Sequence, residues 1–322
     1  MSPPLFSRIP KPMLVLMALI GVAAVLAGAF GLTAAGQATL NGLVAGSYLG
    51  LGAIGLTLVF GVLRLVNFAH GDLLTAGAFF TIGLSTIGLP LGLAVPGAIV
   101  GTAFLAYTTE ILVWRPMRKA SAGPLQLFLT AIGLGLVIRF SIQFVSGGQS
   151  RTLGIDILSS LEIGGVRLGM MQGIVLVAGL IAMALVGLLL RHTALGKQMR
   201  AYADNRALAE VSGVETQRIV IVTWLLSGLL AGLAGLLYAA AIGTFNPNFG
   251  LTLLLSLFAA AILGGIGNAY GALVGGLIIG LSQEWATLII NPRWKPSVGF
   301  VILILTLLVL PQGIFGKSRR KS

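Results

Sequence analysis

Polar and ionisable side chains cluster in one short segment of an otherwise apolar sequence. Residues 64–75 include Asn67, His70, Asp72 and Thr75. Because residues three apart share a helix face, Asn67 and His70 are expected on one face, and Asp72 and Thr75 on another. Such groups are costly in hydrocarbon and usually functional there, so they are candidates for lining or gating a path. The alternative is a polar cap where a helix enters an apolar layer, and one His with one Asp makes a weak metal site.

Three more ionisable residues lie within apolar runs. Arg139 is expected to face a helix bundle or to extend outward past Gln143, and Glu284 is a further candidate for lining a path. Glu110 lies near a basic cluster and is expected to pair with Arg115. These residues form no continuous line of Asp, Glu and His of the kind that proton relays use, which disfavours transport coupled to an ion.

Enzyme and cofactor chemistry find little support in the residue pattern. The chain has no cysteine, and its histidines, His70 and His192, lack the context of a Ser/His/Asp triad. Residues 316–318 resemble the end of a phosphate-binding P-loop, but Pro311 stands where that motif needs a glycine. Residues 265–271 loosely resemble a dinucleotide fingerprint, and their apolar flanks favour a sharp turn between two helices instead. We therefore predict no catalytic residue, cofactor or metal site in this chain.

The longest polar connection, residues 191–218, predicts two short helices. A helix over 195–203 breaks at Asp204, which suits the N-cap of a second helix over 205–212. Gly213 suits the left-handed position that ends this second helix. An ordered helix pair between apolar runs indicates a docking surface for a cytoplasmic partner, and a solvated connection is the alternative.

The composition requires that most of these elements lie in a membrane. The 322 residues are 57% hydrophobic and 9% charged, whereas soluble domains are about 25% charged. A chain with so few charges cannot cover its surface in water. Since a span needs roughly 20 apolar residues, the length predicts an all-α bundle of about eight to ten transmembrane helices. Residues 1–322 are expected to form this single domain, with no separate soluble enzyme domain.

The net charge of +12 is concentrated in connections and at the ends of the chain. Basic clusters of this kind hold loops on the cytoplasmic side of a membrane, which explains the charge without nucleic acid. Cytoplasmic clusters are expected at Arg8 and Lys11, at 115–119, within 191–218 and in a basic tail at 317–322. Both termini are therefore predicted in the cytoplasm.

Ten apolar runs satisfy this charge pattern together. They are 13–35, 42–63, 67–88, 92–114, 124–146, 170–190, 219–243, 251–267, 272–291 and 298–313. The weakest, 67–88 and 251–267, could re-enter the membrane instead of crossing it, and eight spans is the alternative count. The connection 147–169 carries no net charge, so it is expected outside, as a short lateral helix or a hairpin.

The 46 glycines predict close packing between the helices. In lipid, small residues four apart mark helix interfaces. Such pairs are Gly46 with Gly50, Gly228 with Gly232, Gly271 with Gly275, and Gly276 with Gly280. They indicate a tight bundle but serve channels and transporters alike.

Motifs spread over residues 40 to 316 occur together in one order. They are Asn41-Gly42-Leu43 to Ser47, Gly55-Leu56-Thr57 to Val62, Asn67-Phe68-Ala69-His70-Gly71-Asp72, the 195–213 loop, Leu263 to Asn268 with Gly271, and Pro311 to Gly316. This set resembles the membrane permeases of branched-chain amino acid ABC importers. The loop departs from the pattern in one respect. Importer loops often carry Glu-Ala-Ala before their glycine, whereas this chain has Ala207-Leu208-Ala209, with Glu210 following.

The resemblance implies a set of partners in the bacterial inner membrane and on both sides of it. They are a second permease subunit, two cytoplasmic ATP-binding subunits, and a periplasmic or lipid-anchored solute-binding protein. ATP hydrolysis would belong to the partners. The residues implied in contact with the ATPase are Gly196, Arg200, Asp204, Arg206, Glu210 and Gly213. The expected solute is leucine, isoleucine or valine; a permease for urea or short amides and a passive channel for a small neutral solute remain open alternatives.

Overall fold

The computed structural model of the chain describes residues 10–156 and 159–316. Its helices are α1 (Lys11–Phe30), α2 (Leu32–Leu63), α3 (His70–Thr86), α4 (Leu91–Thr109), α5 (Arg115–Lys119), α6 (Pro124–Ser146), α7 (Met170–His192), α8 (Ala194–Asp204), α9 (Arg206–Val211), α10 (Thr216–Ile242), α11 (Phe249–Gly264), α12 (Ala269–Ala286) and α13 (Lys295–Val309). Each predicted apolar run lies mostly within one helix, which confirms the all-α bundle. Arg8, the predicted tail 317–322 and residues 317 and 318 of the P-loop look-alike lie outside the described residues.

Seven of the described helical stretches are long and apolar enough to cross a membrane. The helices α3 and α11 are shorter, with 17 and 16 residues. That corresponds to about 25 Å at 1.5 Å per residue, against a hydrocarbon core of about 30 Å. They also pack on each other, since the Gly250 N–H donates to Thr75 Oγ1 at 3.2 Å. The two weakest predicted runs are thus two short helices in contact with each other.

The first two spans meet at a single residue. Gly31 separates α1 from α2 with a φ of 89°, a left-handed value that favours glycine. The predicted gap between 35 and 42 is therefore wrong. Polar residues there suggested a break, but Gln37 Nε2 donates to Asn41 Oδ1 one turn later, at 3.1 Å, so the helix continues through them. At 32 residues, α2 is the longest described helix, and most of it is buried at the centre of the bundle.

Glycines bring α2 and α12 into direct backbone contact. A Cβ on Gly46 would lie 2.8 Å from Leu277 Cα, and one on Gly276 would overlap the backbone of Gly50. The other predicted pairs lie at helix contacts too, with Gly228 and Gly232 against α4, and Gly271 and Gly275 against α11. All four predicted pairs are confirmed, and they hold the bundle tightly packed.

The connection at 147–169 contains the hairpin that was one of the two expectations. Strand β2 (Ser160–Ile163) pairs antiparallel with β3 (Val166–Gly169). Strand β1 (Arg151–Thr152) pairs with β4 (Thr244–Phe245), which follows α10. Gln37 of α2 anchors the hairpin, because its Nε2 donates to the Arg167 carbonyl at 2.9 Å and its Oε1 accepts the Arg167 N–H at 2.8 Å.

The glycine-rich segment at 265–271 is the predicted turn between two helices. Gly265 and Gly267 have φ values of 107° and 87°. The turn is covered by the segment after α13, where the Ile314 N–H donates to the Leu263 carbonyl at 2.8 Å and the Phe315 N–H to the Gly264 carbonyl at 3.2 Å. The look-alike of a dinucleotide site is therefore a packed helix connection.

Candidate functional site

A buried ion pair joins α3 to α6. Arg139 donates from Nε to Asp72 Oδ1 at 2.8 Å and from Nη2 to Asp72 Oδ2 at 3.0 Å. Both residues are buried. A Cβ on Gly135 would lie 2.6 Å from Asp72 Oδ2, so only glycine leaves room for the carboxylate there. Two-point contact of this kind is the strong geometry for an arginine and a carboxylate, and it neutralises both charges inside the bundle.

Asn67 and His70 lie beside this pair but on different structural elements. The helix α3 begins at His70, and Asn67 precedes it in a turn, where its Oδ1 accepts the Ala69 N–H at 3.1 Å. The prediction that Asn67 and His70 share a helix face is therefore wrong, because Asn67 caps the turn that starts the helix. His70 is fully buried, and its Nε2 lies 2.9 Å from the carbonyl oxygen of Gly52 in α2.

The remaining acidic candidates pair with basic residues near them. Glu110 forms two hydrogen bonds with Arg118, one of them from Nη1 to Oε2 at 3.0 Å, so the predicted partner Arg115 is wrong. The π-helical turn Glu110–Trp114 carries the chain directly into α5, which places Arg118 over the carboxylate. Glu284 pairs with Lys295 of α13 at 2.6 Å. Within 10–156 and 159–316, no three His, Asp or Glu side chains lie close enough together to hold a metal ion.

The 191–218 connection folds into two capped helices, α8 and α9, as the sequence predicts. Thr193 caps α8 by accepting the Gly196 N–H. Asn205 caps α9 by accepting the Leu208 N–H at 3.0 Å. The predicted cap, Asp204, is wrong by one residue, because α8 runs through it and the extended backbone needed at an N-cap falls at Asn205.

Close contacts hold α8 against the end of α7. Gly196 lies directly on Leu190, and a Cβ there would overlap the Leu190 carbonyl group. Arg200 donates to the same carbonyl oxygen. Arg206, at the start of α9, lies over the Tyr202 ring at 5.7 Å, a cation–π distance. The helix pair is therefore a defined structure rather than a loose connection.

The outer surface of this helix pair carries charged residues and two apolar ones. Asp204, Arg206 and Glu210 are exposed. Gly213 ends the loop with a φ of 83°, which confirms the predicted left-handed position. Leu208 and Val211 are 64% and 87% exposed, and the sequence interpretation missed them. Their spacing of three on a short helix in a polar connection is the signal that could have found them.

Most of this chain is similar in sequence to known proteins. The sequence family "Branched-chain amino acid transport system / permease component" matches residues 38–309. The high-affinity branched-chain amino acid permease LivH of Salmonella typhimurium is 30% identical over 295 residues, which cover 87% of this chain and 95% of that protein. The corresponding permease BraD of Pseudomonas aeruginosa is 28% identical over the same shares. The ribose import permease RbsC of Escherichia coli is 27% identical over 80% of each chain.

These relatives are transport permeases and not enzymes. The family match begins within α2 and ends with α13, so it includes the Asp72–Arg139 pair, the α8–α9 pair and the glycine-packed core. The family match covers most of the chain and most of its apolar helices. It spans nearly the same residues as the motifs that resemble this family. This multi-pass membrane chain therefore belongs to the family of permease components of branched-chain amino acid transport systems.

Proposed function

We propose that the chain is the permease subunit of an ATP-driven importer that carries leucine, isoleucine or valine across a bacterial inner membrane. Family membership supports the permease role. The solute class is supported by LivH and BraD, which are named for branched-chain amino acid transport and match over 95% of their length. A second solute class is represented by RbsC, a ribose permease of 27% identity, and this makes ribose a necessary competitor in any test.

The exposed apolar residues of α9 carry the coupling part of this proposal. Leu208 and Val211 are exposed on a short helix outside the long spans, which also carries the exposed charges of Arg206 and Glu210. Exposed apolar side chains among charges mark a protein contact surface. We propose that one cytoplasmic ATP-binding subunit docks here, and that a second permease brings a second such subunit. A periplasmic or lipid-anchored solute-binding protein would deliver the solute on the opposite side.

The proposed topology places α8 and α9 in the cytoplasm together with both termini. The support is charge: the 191–218 connection carries Arg191, Lys197, Arg200, Arg206 and Arg218. Basic connections are retained on the cytoplasmic side of a bilayer. With this orientation the β2–β3 hairpin lies outside, on the side of the binding protein.

The polar residues at the start of α3 are proposed to act on the solute path. Asn67, His70 and Asp72 are all buried there, and Asp72 ties α3 to α6 through Arg139. Buried polar groups in a membrane bundle mark paths and gates more often than packing. We propose that the Asp72–Arg139 pair sets the position of α3 as a gate. Glu284, paired with Lys295, is proposed as a second lining residue.

Reconstitution tests the proposal directly. The chain is purified with its companion permease and ATP-binding subunits, incorporated into vesicles, and supplied with the binding protein. Labelled leucine is expected to accumulate when ATP is present, and unlabelled isoleucine and valine are expected to compete. Competition by ribose or urea without competition by valine would contradict the solute class. Equal leucine flux with and without ATP would contradict the importer and favour a passive channel.

A further inference from the structure

Arg64 has an unusual backbone conformation and an unusual contact. It follows α2 with a φ of 56° and a ψ of 27°. Within the described residues, Arg64 and Ser121 are the non-glycine residues with positive φ, a conformation that is uncommon for a side chain of this size. The Arg64 side chain reaches the α8–α9 pair, where Nη2 donates to the Ala203 carbonyl oxygen at 3.2 Å. One residue thus joins the end of the central helix to the proposed ATPase contact.

Arg64 donates hydrogen bonds at the ends of two helices, one from its backbone and one from its side chain. The Arg64 N–H donates to the Phe60 carbonyl at 2.8 Å and closes the last turn of α2. Ala203 lies in the last turn of α8, where carbonyl groups lack partners within the helix. A cation at a helix C-terminus also complements the helix dipole. The guanidinium therefore binds α8 at a position where the helix offers a free acceptor.

The residues after Arg64 form part of a cleft. A space of about 100 Å³ lies between α2 and α11, and its lining includes Phe60, Leu65, Val66, Phe258, Ile262 and Ile266. Leu65 is buried, whereas Val66 and Ile266 are 37% and 47% exposed, and we call the part of the space that these two residues line its mouth. The left-handed backbone at Arg64 ends α2, so Leu65 and Val66 lie outside the helix. We call this space the α2–α11 cleft.

We propose that Arg64 is a positioning residue that transmits movement of α8 to the wall of the α2–α11 cleft. When an ATP-binding subunit moves the α8–α9 pair, the bond to Ala203 carries Arg64 along, and Leu65 and Val66 change the width of the cleft mouth. The inference rests on the proposed function, and it assigns to Arg64 the link between the ATPase and this end of the bundle.

Two substitutions distinguish the effect of the Arg64 side chain from that of its backbone conformation. Arg64→Gly keeps the left-handed conformation, which glycine adopts readily, and removes the side chain with its guanidinium. Arg64→Lys retains a donor. Ser121→Gly is the matched control, because it makes the same backbone change at a φ of 54° in another connection.

The first measurement is the ratio of solute-stimulated to basal ATPase activity in the reconstituted complex. Arg64→Gly is expected to assemble normally and to lower this ratio at least about fivefold, the lower end of typical coupling between sites. Arg64→Lys is expected to restore part of the ratio, and Ser121→Gly to leave it unchanged. An unchanged ratio in Arg64→Gly overturns the link, as does equal impairment of the Gly and Lys variants. A wild-type complex with no stimulation at all contradicts the proposed function itself.

The second measurement uses the absence of cysteine from the chain. A single cysteine at Val66→Cys reports the cleft mouth, and one at the exposed position Ala207→Cys reports the surface of α9. ATP is expected to change the thiol-labelling rate at both positions in an otherwise wild-type chain. With Arg64→Gly added, the change at position 66 is expected to disappear while that at position 207 remains. Persistence of the change at position 66 overturns the proposal.

Discussion

Asp72 and Arg139 lie 67 residues apart in the sequence and form a two-point ion pair that ties α3 to α6. The face of α6 away from α3 is largely open, and its residues Phe140 and Phe144 are exposed. The pair is therefore a principal attachment of α6 to the bundle, together with the edge-to-face contact of Phe68 and Phe128. Removal of either charge would leave the other unpaired in a buried site.

The two members of this pair are predicted to contribute to the stability of the bundle in a non-additive way. Asp72→Asn or Arg139→Met alone is expected to cost about 3–5 kcal/mol, because one partner is left buried without its counter-charge. The double variant is expected to cost less than the sum of the two. Thermal unfolding in detergent measures all three variants against the wild type. Simple additivity of the two single effects would contradict the importance of the pairing.

The close contact of α2 with α12 predicts that alanine at two different glycine positions has very different effects on stability. Gly276→Ala places a methyl group on the backbone of Gly50, whereas Gly92→Ala meets nothing within 4 Å. The first change is expected to destabilise the protein by about 1–3 kcal/mol through overpacking. The second is expected to be neutral or slightly stabilising, because alanine favours the helix by up to about 1 kcal/mol over glycine. Equal melting temperatures for the two variants would show that the helices do not approach so closely.

The cap of α9 predicts a local effect in the α8–α9 pair. Asn205→Ala removes the acceptor of the Leu208 N–H and is expected to cost α9 about 0.5–2 kcal/mol. Asp204→Ala is the matched control, since that residue ends α8 and supplies no cap to α9. Hydrogen exchange at the Leu208 amide is expected to accelerate in the Asn205 variant and not in the control. Faster exchange in the Asp204 variant and not in the Asn205 variant would show that Asp204 is the cap of α9.

The exposed face of α9 predicts which substitutions weaken binding of the proposed ATP-binding subunit. Leu208→Asp and Val211→Asp are expected to weaken binding of the ATP-binding subunit at least about tenfold, as for residues that anchor an interface. Ala207→Asp is the control, because residue 207 is also exposed on α9 but offers little apolar surface. Co-purification and titration of the ATPase measure the effect. If Ala207→Asp weakens binding as much as the other two, added charge and not lost apolar contact explains the result.

Which polar residues meet could not be inferred from spacing along one helix. Asn67 and His70 are three apart, yet they contact different partners because the helix starts between them. Glu110 binds Arg118 and not the nearer Arg115, because a π-helical turn changes the direction of the residues after it. Arg64 showed no sequence signal for its bond to Ala203, since the two are 139 residues apart.

The membrane bundle, its ten apolar helices, the glycine contacts and the family resemblance follow from the sequence alone. The bundle and its glycine contacts depend on local composition and periodicity, because hydrophobicity and small residues act in the same way wherever they occur in the chain. The resemblance depends on motifs that occur in one order along the chain. The tertiary structure decided the continuity of α2 through Gln37, the Asp72–Arg139 pair and the contact of Arg64 with α8. Each of these depends on how distant segments are oriented when the bundle packs, and a side chain finds its partner only after the backbones have taken their positions.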